Sequence, residues 1–275
     1  MSSLTNYLSV KECPVDEDCV GERWVAINEK QLASLVAIIA MGQAELAYRI
    51  LTKLAPVTSV YADFNLKDEA RIRLTVQEKK KIPRIGYPRW QRDGFIFEAI
   101  SWIAARQIHG NLAYMECPHM SVTSQGLDGF MVELSADKSK IERTTIFEDK
   151  CSANPRHAFT SKVIPTFLNL HMNKRNAEII ASALTLLKTA DISDDQAVQL
   201  VEAVTDRKIR RYRAAFAVAN KYDKQKNRAK LFAGYNKIED IKADQRLGAC
   251  LVISMNLRNW FDKLAAMSIK YLDSI

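Results

Sequence analysis

Apolar and polar residues alternate or cluster along the chain in ways that predict a series of helices and strands. Residues Lys30 to Leu54 carry LASLVAIIAMG followed by amphipathic turns, a helix closed by Pro56. ARIRLTV, Ala70 to Val76, alternates apolar and charged positions as a half-exposed strand does. The next segment, KKKIPRIGYPRWQRDG, holds three Lys, three Arg and two Pro and reads as an exposed basic loop. FIFEAISWIAARQIHG, Phe95 to Gly110, has the clearest helical period, with Asp93 placed to cap it and Gly110 to end it. Three short strands are expected next, LAYMEC, LDGFMVEL and RTTIFEDKC, the last two joined by the turn-rich SADKSKIE. Asn154-Pro155 is placed to open a helix that runs to Leu170. Helices over Asn176 to Lys188 and Asp194 to Val204, strands RYRAAFAVA and LGACLVISMN, and a last helix WFDKLAAMSIKYL complete the pattern. The order predicts an α/β fold with a mixed central sheet flanked by helices. We expect residues 1–85 to form an N-terminal helix-plus-strand subdomain, and residues 86–275 the main core with helical additions.

Composition narrows the partners. The 275 residues carry a net charge of +8, which favours an anionic partner, nucleic acid first. The five cysteines form no CxxC pair and imply no disulfide framework, so a reducing cytoplasm is expected. Cys117 with His119, and Cys151 with His157, have spacings that match no zinc finger or ribbon. The first residues lack the basic start and apolar run of a signal peptide, and LASLVAIIAMG is too short to span a bilayer. No P-loop, GxGxxG, GxSxG or HExxH pattern is present, so ATP-driven movement along DNA would need a partner.

The candidate chemistry lies in GLDG and, twenty residues on from its Asp, in TTIFEDK. Side chains two apart in a strand share a face, so Glu148 and Lys150 point together while Asp149 points away. Asp149 is then either exposed at the strand end or part of the charge network. If LDGFMVEL and TTIFEDK pair as an antiparallel hairpin, Asp128 meets Glu148 and Lys150 at one sheet edge. Two such carboxylates need a compensating cation, and Mg²⁺ is suited to oxygen ligands and retained water, with Mn²⁺ as a substitute. The plainer alternatives are a solvated ion pair for Glu148 and Lys150, a turn residue for Asp128 and a helix-surface position for Glu98.

Asp128 followed by Glu148-Asp149-Lys150, on consecutive strands after an amphipathic helix, resembles the motif of the PD-(D/E)xK nuclease superfamily. Within it, HGNLAYMECP, GLDGFMVEL and TTIFEDKCSANPR look like the HamA family, the nuclease subunits of Hachiman anti-phage systems; the similarity covers roughly residues 90–175. The resemblance implies a restriction-endonuclease-like core, Asp128 and Glu148 as Mg²⁺ ligands, Lys150 positioning the attacking water and Glu98 assisting. It implies a DNA endonuclease working beside a superfamily-2 helicase-ATPase, HamB-like, that restrains it. Two features depart from the superfamily: Leu127 replaces the Pro before Asp128, and the usually apolar middle position is Asp149. They leave open a non-catalytic basic adaptor that binds DNA or a helicase on a nuclease-like scaffold. Nucleic-acid contacts are expected from Lys79, Lys80, Lys81, Arg84, Arg89 and Arg92, from Arg156, and from Arg210, Arg211 and Arg213. Tyr87, Trp90, Tyr212 and Tyr222 interleave these bases with aromatic rings.

Overall fold

Among the described residues, every strand of the computed structural model belongs to one sheet. The structure describes residues 7–52, 60–79, 82–120 and 126–275. Strands β1 (Leu8–Pro14), β2 (Val20–Ala26), β3 (Ala113–Met115), β4 (Gly129–Leu134), β5 (Ile141–Lys150), β6 (Arg210–Ala219) and β7 (Arg246–Ile253) form a seven-stranded mixed sheet. Its order is β1-β2-β7-β6-β5-β4-β3. The pairs β2–β7, β7–β6 and β6–β5 are parallel, and the hairpins at the two edges are antiparallel. The helices are α1 (Glu29–Ala40), α2 (Ala44–Thr52), α3 (Phe64–Leu74), α4 (Arg89–Ile108), α5 (Pro155–Ala158), α6 (Ile164–His171), α7 (Asn176–Leu187), α8 (Asp194–Val201), α9 (Gln225–Phe232) and α10 (Leu257–Ser274). Among the described residues, no helix is long and apolar enough to cross a membrane.

The central strands are buried on both faces, which is why RYRAAFAVA and LGACLVI read as nearly continuous apolar runs. Alternation along them serves two cores. Ala215, Ala217, Ala249 and Leu251 pack with α1, α4 and α10, whereas Tyr212, Ala214, Phe216 and Cys250 pack with Phe159, Phe167 and Phe232 on the other face. Close approach decides two glycines. A Cβ on Gly129 would lie 2.5 Å from the Phe147 ring, and one on Gly248 would lie 2.6 Å from the Phe232 ring.

Three local expectations change. The alternating Ala70–Val76 segment belongs to helix α3 and the residues just after it. Asp63 caps that helix through the amides of Asn65 and Leu66, and Ala70 and Leu74 bury one side of it. Asp68 and Glu69 reach Arg71 and Arg73 at 2.7 and 2.9 Å, pairs that only helical spacing brings together. The helix expected over Lys30–Leu54 breaks at Gly42, whose φ of +80° suits glycine, and its last two residues lie outside the described chain. Helix α4 begins at Arg89, so Asp93 is an interior residue and not a cap: it is fully buried between Arg92 and Arg258. The N-terminal strands β1 and β2, absent from the expected elements, extend the same sheet, and α1 shares a core with α4 and α10.

Candidate active site

The antiparallel pairing of Gly129 with Phe147 and Phe130 with Ile146 sets the site. That register brings Asp128, just before β4, across from the last residues of β5. The Asp149 amide donates to Asp128 Oδ2 at 2.8 Å, which fixes the carboxylate against the neighbouring strand. Lys150 Nζ donates to the same oxygen and lies 2.8 Å from Glu148 Oε2. Two carboxylates from adjacent strands thus converge on one ammonium. Asp128 and Lys150 keep about a quarter of their side-chain surface exposed, while Glu148 keeps 6 %.

This arrangement shifts the titrating groups. Burial, partly countered by Lys150 and reinforced by Asp128, pushes the Glu148 carboxyl up to about 7. Burial also works against the Lys150 ammonium, but Asp128 and Glu148 outweigh it and hold the group above its usual range. Lys150 donates to Asp128 and lies within hydrogen-bond distance of Glu148. Arg175, itself paired with Glu178 at 2.5 Å, adds a weaker positive field at Glu148.

Glu98 faces the same cleft from α4. Its Oε1 accepts from the His119 amide at 2.7 Å and lies 2.9 Å from His119 Nδ1. That hydrogen bond raises the His119 pKa against the effect of burial, and Asp128 adds to the rise. In the sequence His119 stands out only beside Cys117, a spacing that matches no zinc site. Its partner is 21 residues away on another element, so no local spacing could have signalled the pair. A cleft of about 770 Å³ runs between Trp90, Gly94 and Glu98 of α4 on one side and Asn154, Ala158 and Lys162 on the other, with Asp128 and Lys150 between. Asn154 caps the second wall by accepting from the His157 amide, as its place before Pro155 predicts. A second cleft, of about 830 Å³, lies on the other side of Asp128 and His119, between Tyr48, Arg106 and Glu116.

Asp149 points away from Glu148 and Lys150, and joins a charge network instead of facing solvent. Its side chain is 3 % exposed, with Arg213 Nη2 at 3.6 Å. Arg213 also donates to Ser101 of α4 and lies 3.8 Å over the Phe147 ring. Burial pushes the Asp149 carboxyl up to about 7, against the pull of Arg213. Asp149 Oδ1 and Arg213 Nε and Nη1 make no hydrogen bond among the described residues.

The basic residues divide. Lys79 and Arg84 are exposed, with the Arg84 guanidinium 4.6 Å over Tyr87. Lys80 and Lys81 lie outside the described residues. Arg89 is half-buried and bound to Asp262 at 2.6 Å. Arg92 is 2 % exposed and paired with Asp93 and Asp262, so it does not present a free charge to a phosphate. Arg156 gives its guanidinium to the carbonyls of Leu231 and Ala233 at 2.9 and 2.6 Å. Arg210 is fully buried and binds the carbonyls of Val204 and Leu170, and Arg213 is interior as described, so neither belongs to a basic surface. Arg211 binds the Asp244 carbonyl at 3.0 Å. It pairs across from Thr145, five residues before Lys150 on β5, which places it roughly 17 Å away along the sheet.

Comparison of the chain with protein-family models, with curated proteins and with solved structures returned no match. Among the described residues, no three or more His, Cys, Asp and Glu side chains are grouped to hold a metal ion. Two carboxylates aimed at one point nevertheless fit Mg²⁺, which needs only one or two protein carboxylates and keeps its waters. They offer hard oxygen donors, and their joint negative charge is matched by only one resident ammonium.

Proposed function

We propose that this protein is a Mg²⁺-dependent DNA endonuclease with a PD-(D/E)xK, restriction-endonuclease-like core. By the resemblance of residues 90–175, it would serve as the HamA-like effector of a bacterial anti-phage complex controlled by a superfamily-2 helicase-ATPase in the cytoplasm. The observation that carries the reading is the convergence of Asp128, Glu148 and Lys150 at a strand end, where Asp128 and Lys150 line an open cleft and Glu148 lies buried behind them. Asp128 and Glu148 would hold the metal, with Mn²⁺ able to substitute. The ion supplies Lewis-acid stabilisation of the scissile phosphate and acidifies a bound water.

The chain's own residues supply the rest. Asp128 is oriented by the Asp149 amide, and its carboxylate needs no rearrangement to face the cleft. Lys150, held protonated, donates hydrogen bonds to the attacking water and to the phosphate oxygens on which charge grows. The water oxygen forms a bond to phosphorus as one P–O ester bond breaks; the water gives up a proton to solvent and the departing oxygen takes one up, leaving a phosphate monoester end and a hydroxyl end. Glu98 and His119 form a hydrogen-bonded dyad at the cleft wall, so Glu98 acts on the site through His119 or after giving up that bond. The remaining free cations are fewer than the net charge suggests. Lys79, Arg84 and Lys162 are exposed, whereas Arg92, Arg210 and Arg213 are spent on internal partners.

Plasmid nicking in Mg²⁺, with the helicase both present and absent, is the direct trial. Lys150→Ala and Glu148→Ala should each lower cleavage by about 100-fold or more. Full cleavage by either variant would remove the assignment. The second reading, a non-catalytic adaptor for DNA or a helicase, is favoured by one feature: Lys150 already bridges the two carboxylates, a cluster that needs no metal to persist. Metal titration separates the two. At a Mg²⁺ concentration 100 times its dissociation constant, the nuclease reading predicts stabilisation by about 2.7 kcal/mol in wild type and none in Glu148→Gln. No shift in wild type, together with retained DNA affinity, selects the adaptor.

A further inference from the structure

Helix α4 is buried on nearly every side. Between residues 92 and 105, only Gly94 and Glu98 escape full burial. These two and Trp90 are spaced four residues apart, so they form one stripe along the helix, and that stripe is the cleft wall. Trp90 at its outer end is 65 % exposed. Beside it Gly94 leaves open space: a Cβ built there would meet nothing within 4 Å. The far wall presents exposed Lys162 and Asn154, and Arg258 contributes a guanidinium that is also bound to Asp93 at 2.5 Å. An isolated exposed aromatic is ordinary. Here the indole lines a cleft together with charged side chains, next to the open space at Gly94, with cations opposite.

We infer that Trp90 is a stacking platform for an unpaired nucleobase, and that the cleft takes a single strand of DNA. This rests on the phosphodiesterase reading of the same cleft and names its substrate class. Every base offers a π-face, so stacking grips a strand without reading its sequence, while a paired base keeps its faces covered by its neighbours. From Trp90 to Glu98 is eight residues, about 12 Å along the helix. The stacked base therefore holds the strand at a distance from the reacting phosphate and takes no part in the chemistry.

The chain contains four tryptophans, and Trp24, Trp102 and Trp260 are each no more than 4 % exposed. A neutral quencher such as acrylamide thus reports mainly on Trp90. The experiment is a titration of the full chain, in EDTA, with a single-stranded oligodeoxynucleotide and with a blunt duplex of equal length. The single strand should quench Trp90 and shield it from acrylamide, and the duplex should do so much more weakly. Trp90→Ala should bind the single strand roughly 5- to 100-fold more weakly with unchanged melting temperature, and Trp90→Phe should recover most of the affinity. Equal shielding by duplex, or single-strand affinity in Trp90→Ala equal to wild type, overturns the inference. Because binding is read without metal, the two failures separate. A wild type that never cuts in Mg²⁺ but still shows the quenching loses the nuclease reading and keeps the strand-binding one. A wild type that cuts in Mg²⁺ but binds the single strand no more tightly than Trp90→Ala keeps the first and loses the second.

Discussion

Two charged clusters lie back to back on β5, one residue out of phase. On one face Glu148 and Lys150 meet Asp128 at the edge of a cleft, and every charge has an oppositely charged partner at hydrogen-bond distance. On the other, Asp149 and Arg213 face each other at 3.6 Å inside the core, with polar atoms on both left without hydrogen bonds. The first cluster has room for a ligand and a surplus of negative charge. The second has only itself, Ser101 and two aromatic rings. Strand alternation alone assigns the roles, because a shift by one residue would turn the Asp149 side chain towards Asp128 and the Glu148 and Lys150 side chains towards Arg213. The inner pair also ties β5, which carries Glu148 and Lys150, to β6 and α4.

The largest effect should come from breaking the inner pair. Arg213→Met leaves a buried carboxylate without its cation, a loss of about 3–5 kcal/mol in typical cases. Asp149 can take up a proton in response, which moves the expectation to the low end of that range. Adding Asp149→Leu to Arg213→Met should recover most of the loss, since an apolar pair of similar volume is often as stable as a buried ion pair. Urea denaturation of the two single variants and the double variant measures the coupling. Purely additive losses would show that the two residues do not act as a pair.

The next effect is a slope with pH. Asp149 and Glu148 both have folded-state values raised to about 7, above the ordinary carboxyl range of the unfolded chain. The native state then holds the extra protons, so their contribution to stability is complete below the unfolded value and is lost as pH rises towards the folded one. Stability should fall by roughly 1–3 kcal/mol from pH 5 to pH 8. Asp149→Asn should flatten part of that fall, and saturating Mg²⁺ should flatten the share due to Glu148. Denaturation at the two pH values, with and without metal, assigns each portion to its face of the strand. A profile rising over this interval would contradict the burial argument for both groups.

How far the sequence revealed this depended on whether the deciding partner was local. The hairpin of β4 and β5 was legible because alternation, a turn-rich linker and flanking glycines all pointed to one pairing, and the register then put Asp128 beside Lys150. The helix carrying Glu98 was legible from its period. Helix α3 was misread because A-R-I-R-L fits a two-residue period as well as a four-residue one; the capping Asp63 and the pairs to Arg71 and Arg73 were the discriminating marks. Strands β1 and β2 gave weak patterns, since β1 is an edge strand with several half-exposed or exposed positions. Nothing local distinguishes Arg210 and Arg213, interior on β6, from a basic surface run. Their carbonyl, carboxylate, hydroxyl and aromatic partners come from α6, β5, α4 and β2, brought together only by the fold.

The smallest expected effect compares glycines on the two sides. Gly94 lies within helix α4 at the open cleft, where an added methyl meets nothing within 4 Å. Glycine inside a helix is less favourable than alanine by about 0.8–1.0 kcal/mol, so Gly94→Ala should stabilise by up to that amount and raise the melting temperature by a few degrees. Gly129, beside the site on the packed sheet, behaves oppositely: its new Cβ would lie 2.5 Å from Phe147, and Gly129→Ala should destabilise while shifting Asp128. The pair of melting curves asks whether the cleft side of α4 is free space. A lowered melting temperature in Gly94→Ala would mean that its side of the helix is covered, and the contrast between the open and sealed faces of the site would fail there first.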